Sequence, residues 1–133
     1  MEKKIVLTIK DETFAGQVLN EVLLEFENSS VTLKEIIEAR VRNEVQNYNT
    51  RLNGFYTGLV EPTNAERTLN GYKIKPARII DEEKQVYVAL EAFLKNAYFV
   101  LVDDKQAESL DEEVVLAPYR SVSFVKLTPL VGG

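Results

Sequence analysis

The 133-residue sequence predicts an α+β fold, one mixed sheet with helices on one face. Three observations predict it. Alternating apolar segments open the chain, and a long stretch with apolar residues three and four apart follows them. A nearly continuous aromatic and β-branched run then returns after a second helical stretch. At 45% hydrophobic and 28% charged, with six Gly and four Pro, the composition is that of one ordinary domain and excludes collagen-like, disordered and low-complexity classes.

Ile5, Leu7 and Ile9 alternate with Val6 and Thr8, the pattern of a strand whose second face is partly covered, and Lys10-Asp11-Glu12-Thr13 breaks it. Alternation resumes from about Gln17 to Glu27 through Val18, Val22, Leu24 and Phe26, with Asn20 and Glu21 its weak point; the two strands are expected to pair antiparallel. Thr32 and Glu35 have the Thr-x-x-Glu spacing of a capping box, which places a helix start at Leu33. Leu33, Ile36, Ile37, Val41, Val45 and Tyr48 fall on one stripe, with Lys34, Glu38, Arg42 and Asn49 away from it, and the helix is expected to end near Tyr48 or Asn49.

Residues 50–81 collect turn formers: Asn53-Gly54, Asn70-Gly71, Gly58, Pro62 and Pro76. Thr63 and Glu66 repeat the capping spacing, so a short helix is expected near 64–69. Asp81 can cap a second helix from Glu82 to about Asn96, with Val86, Ala89, Leu90 and Phe93 on one face and Tyr87 and Leu94 widening it. Ala97 to Val102 reads as a buried strand bounded by Asp103-Asp104, Glu113 to Leu116 as a short strand, and Ser121 to Leu127 as the last one. Continued alternation there would carry Lys126 into the core beside Phe124 against a desolvation cost, so a bulge or strand end is expected near Val125.

Composition also removes chemistries. There is no Cys and no His, hence no thiolate nucleophile, no Ser-His-Asp triad and no Cys or His metal site. A net charge of -5 opposes a general phosphate-backbone binder, so nucleic acid is not the expected partner. The apolar run at the N-terminus stops after five positions, and no stretch approaches the roughly 20 apolar residues of a membrane span. A soluble, cytoplasmic protein without a membrane partner is expected. Asp103-Asp104 and Asp111-Glu112-Glu113 lack the spacing of a calcium loop and read as solvated turns, so no metal is expected. The basic run Lys73-Ile74-Lys75-Pro76-Ala77-Arg78 reads as a solvated loop.

The last residues, Phe124-Val125-Lys126-Leu127-Thr128-Pro129-Leu130-Val131-Gly132-Gly133, join a strand, a Pro, an apolar pair and two Gly. By themselves two glycines also fit a frayed terminus. With the strand-strand-helix-strand order upstream, the chain resembles the β-grasp proteins of the ubiquitin-like and sulfur-carrier superfamily. The tail is similar to the Pro-Pro-Val-x-Gly-Gly ending of the molybdopterin synthase small subunits, with Thr128 where those carriers favour Pro. Val31-Thr32-Leu33-Lys34-Glu35-Ile36-Ile37 is similar to their helix start, Phe99-Val100-Leu101-Val102-Asp103-Asp104 to their third strand and turn, and Leu110-Asp111-Glu112-Glu113-Val114 to the approach to their fourth. The likeness covers about residues 3–49 and 97–133.

The resemblance implies one β-grasp domain over residues 1–133, a mixed sheet packed by a long helix, with an insert at 50–96 and a flexible tail at 128–133. It implies a substrate rather than an enzyme: an E1-like adenylating enzyme would use ATP to activate the Gly133 carboxylate, with no cofactor held by the chain itself. Gly132 and Gly133 would thread the enzyme's channel, Leu130 and Val131 would grip its mouth, and an exposed Val125 with Leu127 would form a docking patch. Two fates stay open, thiocarboxylate formation for a sulfur-accepting synthase and conjugation, through further enzymes, to target proteins. A different class of reading is a non-covalent adaptor using the sheet or the insert to hold a partner. For a free-standing enzyme the chain offers no constellation at suggestive spacing.

Overall fold

A computed structural model describes residues 4–52, 54–62, 66–67, 71–74 and 78–126. Strands β1 (Ile5–Glu12) and β2 (Val18–Phe26) form an antiparallel hairpin with Ile5 opposite Phe26, Leu7 opposite Leu24 and Ile9 opposite Val22. The register shifts between Asp11, opposite Asn20, and Glu12, opposite Val18. Leu19 is thus the extra residue of a bulge, which accounts for the break in alternation read around Asn20.

After the short β3 (Ser30–Thr32), helix α1 spans Leu33–Arg51. The capping box forms in both directions: Glu35 N donates to Thr32 Oγ1 at 3.2 Å and Thr32 N to Glu35 Oε1 at 3.0 Å. Leu33 N and Lys34 N, which no helical turn can satisfy, donate to Glu112 O and Leu110 O at 2.9 and 3.0 Å. All six stripe residues are buried. The helix runs past its expected end and stops where Leu52 adopts a left-handed conformation at φ 46° and donates its N–H to Tyr48 O.

Three two-residue strands follow, β4 (Phe55–Tyr56), β5 (Glu66–Arg67) and β6 (Tyr72–Lys73), in the order β4-β6-β5. The helix expected near 64–69 is corrected here: Glu66 and Arg67 pair antiparallel with Lys73 and Tyr72, while 63–65 and 68–70 lie outside the described residues. Cross-strand pairing supplies backbone partners that a single isolated turn of helix could not. Of the two expected Asn-Gly turns, Asn53 and Asn70 also lie outside the described residues; Gly54 has φ 80°, open to glycine without strain.

Helix α2 (Glu82–Leu94) starts at Asp81, whose Oδ1 accepts from Lys84 N at 3.1 Å. Val86, Ala89 and Phe93 are buried as expected, but Tyr87 and Leu94 are 64% and 65% exposed. The buried face turns the other way, toward Gln85, because α2 lies against α1 and the inserted segment. Strand β7 (Tyr98–Val102) is joined to β8 (Lys105–Gln106) by Asp103 and Asp104, both at positive φ, the backbone a two-residue hairpin turn requires. The Ser121 N–H and the Arg120 guanidinium hold the Asp103 carboxyl below its usual pKa.

Strand β9 (Glu113–Val115) pairs with β3, apart from the main sheet, and β10 (Val122–Lys126) closes the fold. The main sheet has the order β2-β1-β10-β7-β8, with β10 parallel to β1 and antiparallel to β7. The fold is therefore α+β, a mixed five-stranded sheet and two helices. Leu7, Ile9, Leu24, Val100, Val122 and Phe124 line its covered side and share one core with both helices. Tyr56, Leu59, Ile74 and Ile80, all from the expected insert, belong to that same core. Among the described residues no helix is long and apolar enough to cross a membrane.

Candidate functional site at the root of the C-terminal arm

β10 is the central strand of the described five-stranded sheet, and Leu127 to Gly133 follow it in sequence. Leu127, Leu130, Val131, Gly132 and Gly133 lie outside the described residues. Val125 is described, and its expected exposure is corrected: it is 7% exposed. It points to the sheet face without helices, but there it sits between Glu12 of β1 and Phe99 of β7, and the edge of Phe14 meets the Phe99 ring at 6.3 Å. A central strand with large neighbours is covered even where no helix packs on it. The exposed apolar residues of that face are Val6, Val18, Leu23 and Phe14.

Of the bulge or strand end expected near Val125, the bulge does not form and β10 ends at Lys126. Pairing with β7 continues without a shift through Lys126, opposite Tyr98, so Lys126 shares the covered side with Phe124. Its cost there is met by a cluster of charges. Arg40 of α1, 1% exposed, forks onto both carboxylate oxygens of Asp11, with Nη2 to Oδ2 at 2.8 Å. Its Nε and Nη2 each reach Glu44 Oε2 at 3.3 Å, and its Cζ lies 4.6 Å from the Phe124 ring centroid. Glu44 Oε1 accepts the Leu59 N–H at 3.1 Å, and Lys126 Nζ donates to Gly58 O at 2.8 Å.

Two cations and two carboxylates thus meet where α1, β1, β10 and the inserted segment converge. Burial lowers the Lys126 pKa and the Arg40 charge adds to the effect, while Asp11 and Glu44 oppose it. Burial raises the Glu44 pKa against the pull of Arg40 and the Leu59 N–H. Burial also works against the Arg40 charge, but Glu44 and Asp11 outweigh it and hold the guanidinium more basic than usual. Each member needs the others, because an unpaired charge at such depth is costly.

The inserted segment is fixed at further points. Gln85 Nε2 of α2 donates to Val60 O at 2.8 Å. A Cβ on Gly58 would stand 2.3 Å from the Tyr56 ring, so close approach favours glycine here. The Tyr56 ring packs edge-on to Tyr48 at 5.8 Å, and among the described residues neither hydroxyl has a hydrogen-bond partner. Burial, with the Glu44 charge, raises the Tyr56 pKa.

None of the four charged residues figured as a site from sequence, yet each carried a signal. Asp11 continues the inward alternation of Leu7 and Ile9, while Arg40 falls three residues after Ile37 and Glu44 three after Val41, both at stripe spacing. Charges in the inward phase of three separate elements can only be tolerated together. The side chains of Arg40, Asp11 and Glu44 are nearly all covered and pair with one another, so their chemistry is that of a lock; among the described residues no group of three or more His, Cys, Asp or Glu is placed to hold a metal ion. Comparison with protein-family models, with curated proteins and with solved structures gives no match.

Proposed function

We propose that this chain is a β-grasp carrier of the ubiquitin-like and sulfur-carrier type, passed between enzymes by its Gly133 carboxylate. The observation that supports it best is the order β2-β1-β10-β7-β8 around a parallel β1–β10 pair, with α1 following the hairpin and the last strand central. A mixed sheet packed by a long helix is what the resemblance implies, and the sequence after the last strand carries the Gly-Gly ending.

At neutral pH a terminal carboxylate is ionised and a poor electrophile. In the proposed reaction its oxygen attacks the α-phosphorus of ATP on an E1-like enzyme, the bond to pyrophosphate breaks, and an acyl adenylate forms. A sulfur nucleophile or an amine then adds to the acyl carbon and AMP leaves. The chain contributes a side-chain-free Gly132-Gly133 end, the Leu130 and Val131 grip, and a docking face. Val125 is too covered to serve that face, and Leu23, Val6 and Phe14 take the role. A cytoplasmic setting, where ATP is at hand, goes with this reading.

The test is to confirm by intact mass that the chain ends at Gly133, then incubate it with adenylating enzymes encoded near it, ATP and a sulfide donor. A gain of about 16 Da, oxygen replaced by sulfur, is expected for sulfur carriage, and a covalent adduct to a target lysine for conjugation. Deleting Gly133 should abolish both. Unchanged mass with every such enzyme would sink the reading.

One observation favours the second reading, a non-covalent adaptor. β2 is an edge strand of nine residues with Leu19 and Leu23 exposed, and a groove of about 400 Å³ between it and α1 is lined by Leu24, Ala39, Arg42, Asn43 and Gln46. An extended partner segment adding to that edge would use the free backbone groups of β2. Such binding should survive loss of Gly133.

A further inference from the structure

We propose that the outer face of α2 is an interface at which two copies of this chain pair, helix against antiparallel helix. The inference goes beyond the carrier reading and does not depend on it.

α2 carries two apolar faces. Val86, Ala89 and Phe93 enter the core, while Tyr87, Leu90 and Leu94, three and four residues apart, form a second stripe whose two ends stay exposed and whose middle is half-buried. Ile79, 69% exposed just before the helix, extends the apolar surface past its start. The solvent face of such a helix ordinarily carries polar side chains, so large apolar ones in register mark a contact surface.

Charge selects the occupant. Lys84 and Glu91, two turns apart, flank the stripe on one side. A second α2 laid parallel would set Lys84 against Lys84 and Glu91 against Glu91. Turned about a two-fold axis near the level of Val88, it sets Lys84 against Glu91 and Tyr87 against Leu90, each pair made twice. The same turn brings Leu94 beside the start of the other helix, where Ile79 is exposed. Within one chain Lys84 has no ion-pair partner among the described residues. Glu91 is held beside the stripe by the Tyr87 hydroxyl, which donates to Oε1 at 3.1 Å, and by Lys95 Nζ, 3.5 Å from Oε2. None of these residues lies on the sheet face without helices, so that face keeps Val6, Leu23 and Phe14 for a different partner.

The experiment is sedimentation equilibrium on the full-length chain and its charge swaps. The wild type should dimerise with concentration. Lys84→Glu and Glu91→Lys each set like charges across the axis and should weaken the dimer about tenfold or more. An equimolar mixture of the two variants should associate again, because in the mixed pair every carboxylate faces an ammonium, and the double variant Lys84→Glu/Glu91→Lys should do the same. The two positions stand about 10 Å apart along one helix, too far to touch within a chain, so recovery reads a contact between chains. Leu94→Ser, which alters neither charge, should weaken the dimer too, with circular dichroism as in wild type. A wild-type chain that stays monomeric up to about 1 mM overturns the proposal. So do single swaps that dimerise as the wild type does, which would place the contact on another face, and a mixture of the two variants that stays monomeric, which would remove the antiparallel pairing.

Discussion

Two regions of the molecule use α1 in different proportions of apolar and polar contact. The sheet side meets it through apolar side chains, with Leu7, Ile9 and Leu24 in one core with Ile36, Ile37 and Val41. The inserted segment also packs the Tyr56 ring on Tyr48, but adds directional polar contacts, the Leu59 N–H on Glu44 and the Asn49 side chain on the Ile80 backbone, while its Gly58 carbonyl takes Lys126 of β10. Apolar contact is non-directional and spread over area, so it degrades gradually. A polar lock is directional and depends on each member, so it fails at one atom.

The comparison breaks first at Arg40, which forks onto Asp11 of the sheet and holds Glu44, the acceptor of the Leu59 N–H. Arg40→Ala leaves Asp11 and Glu44 buried without their common partner and should cost about 3–5 kcal/mol in urea unfolding; a loss below about 1 kcal/mol would mean that the charges are not the joint. Next comes Gly58→Ala, which forces a Cβ into the Tyr56 ring and should cost about 1–3 kcal/mol. Hydrogen exchange should localise that effect to 54–60, and equal loss at the β1–β10 ladder would show the two regions opening as one. On the sheet side, Thr32→Ala removes the acceptor for Glu35 N and should cost about 1 kcal/mol without disturbing the insert.

pH sharpens the contrast. The folded Glu44 pKa lies above its ordinary value through burial, so between the two values the folded state holds more protons than the unfolded and stability falls as pH rises. Lys126 is depressed, so on the alkaline side, from its folded value up to its ordinary one, stability rises with pH. Glu44→Gln should flatten the acid-side slope alone in denaturation curves taken across pH. The smallest effect is expected at Leu23→Ser on the exposed face, within about 0.5 kcal/mol of wild type. Its value is functional, since it should weaken partner docking while the fold stands.

How legible each region was follows from the same physics. The α1 stripe, its capping box, the hairpin and the last strand are local patterns written in side-chain period, and they stand where the periodicity places them. Tyr87 and Leu94 misled because hydrophobicity names a candidate face and the neighbour decides which way it turns. The strand at Glu66–Arg67 took the place of an expected helical turn because its partners lie several residues away on β6. Lys126 was read as a conflict that a bulge or a strand end must resolve; no bulge forms, β10 ends with Lys126, and distant charges and the Gly58 carbonyl meet its cost.

By itself, then, the sequence determined the α+β class, the start of α1, most of the inward positions and the absence of Cys and His chemistry, because period and composition act over a few residues. The strand order that puts β10 in the middle, the cover over Val125, and the meeting of Asp11, Arg40, Glu44 and Lys126 beneath Gly58 were decided only in three dimensions. Residues 11, 40, 44 and 126 are far apart along the chain, and the balance of charge that lets each be buried exists only once the others have arrived.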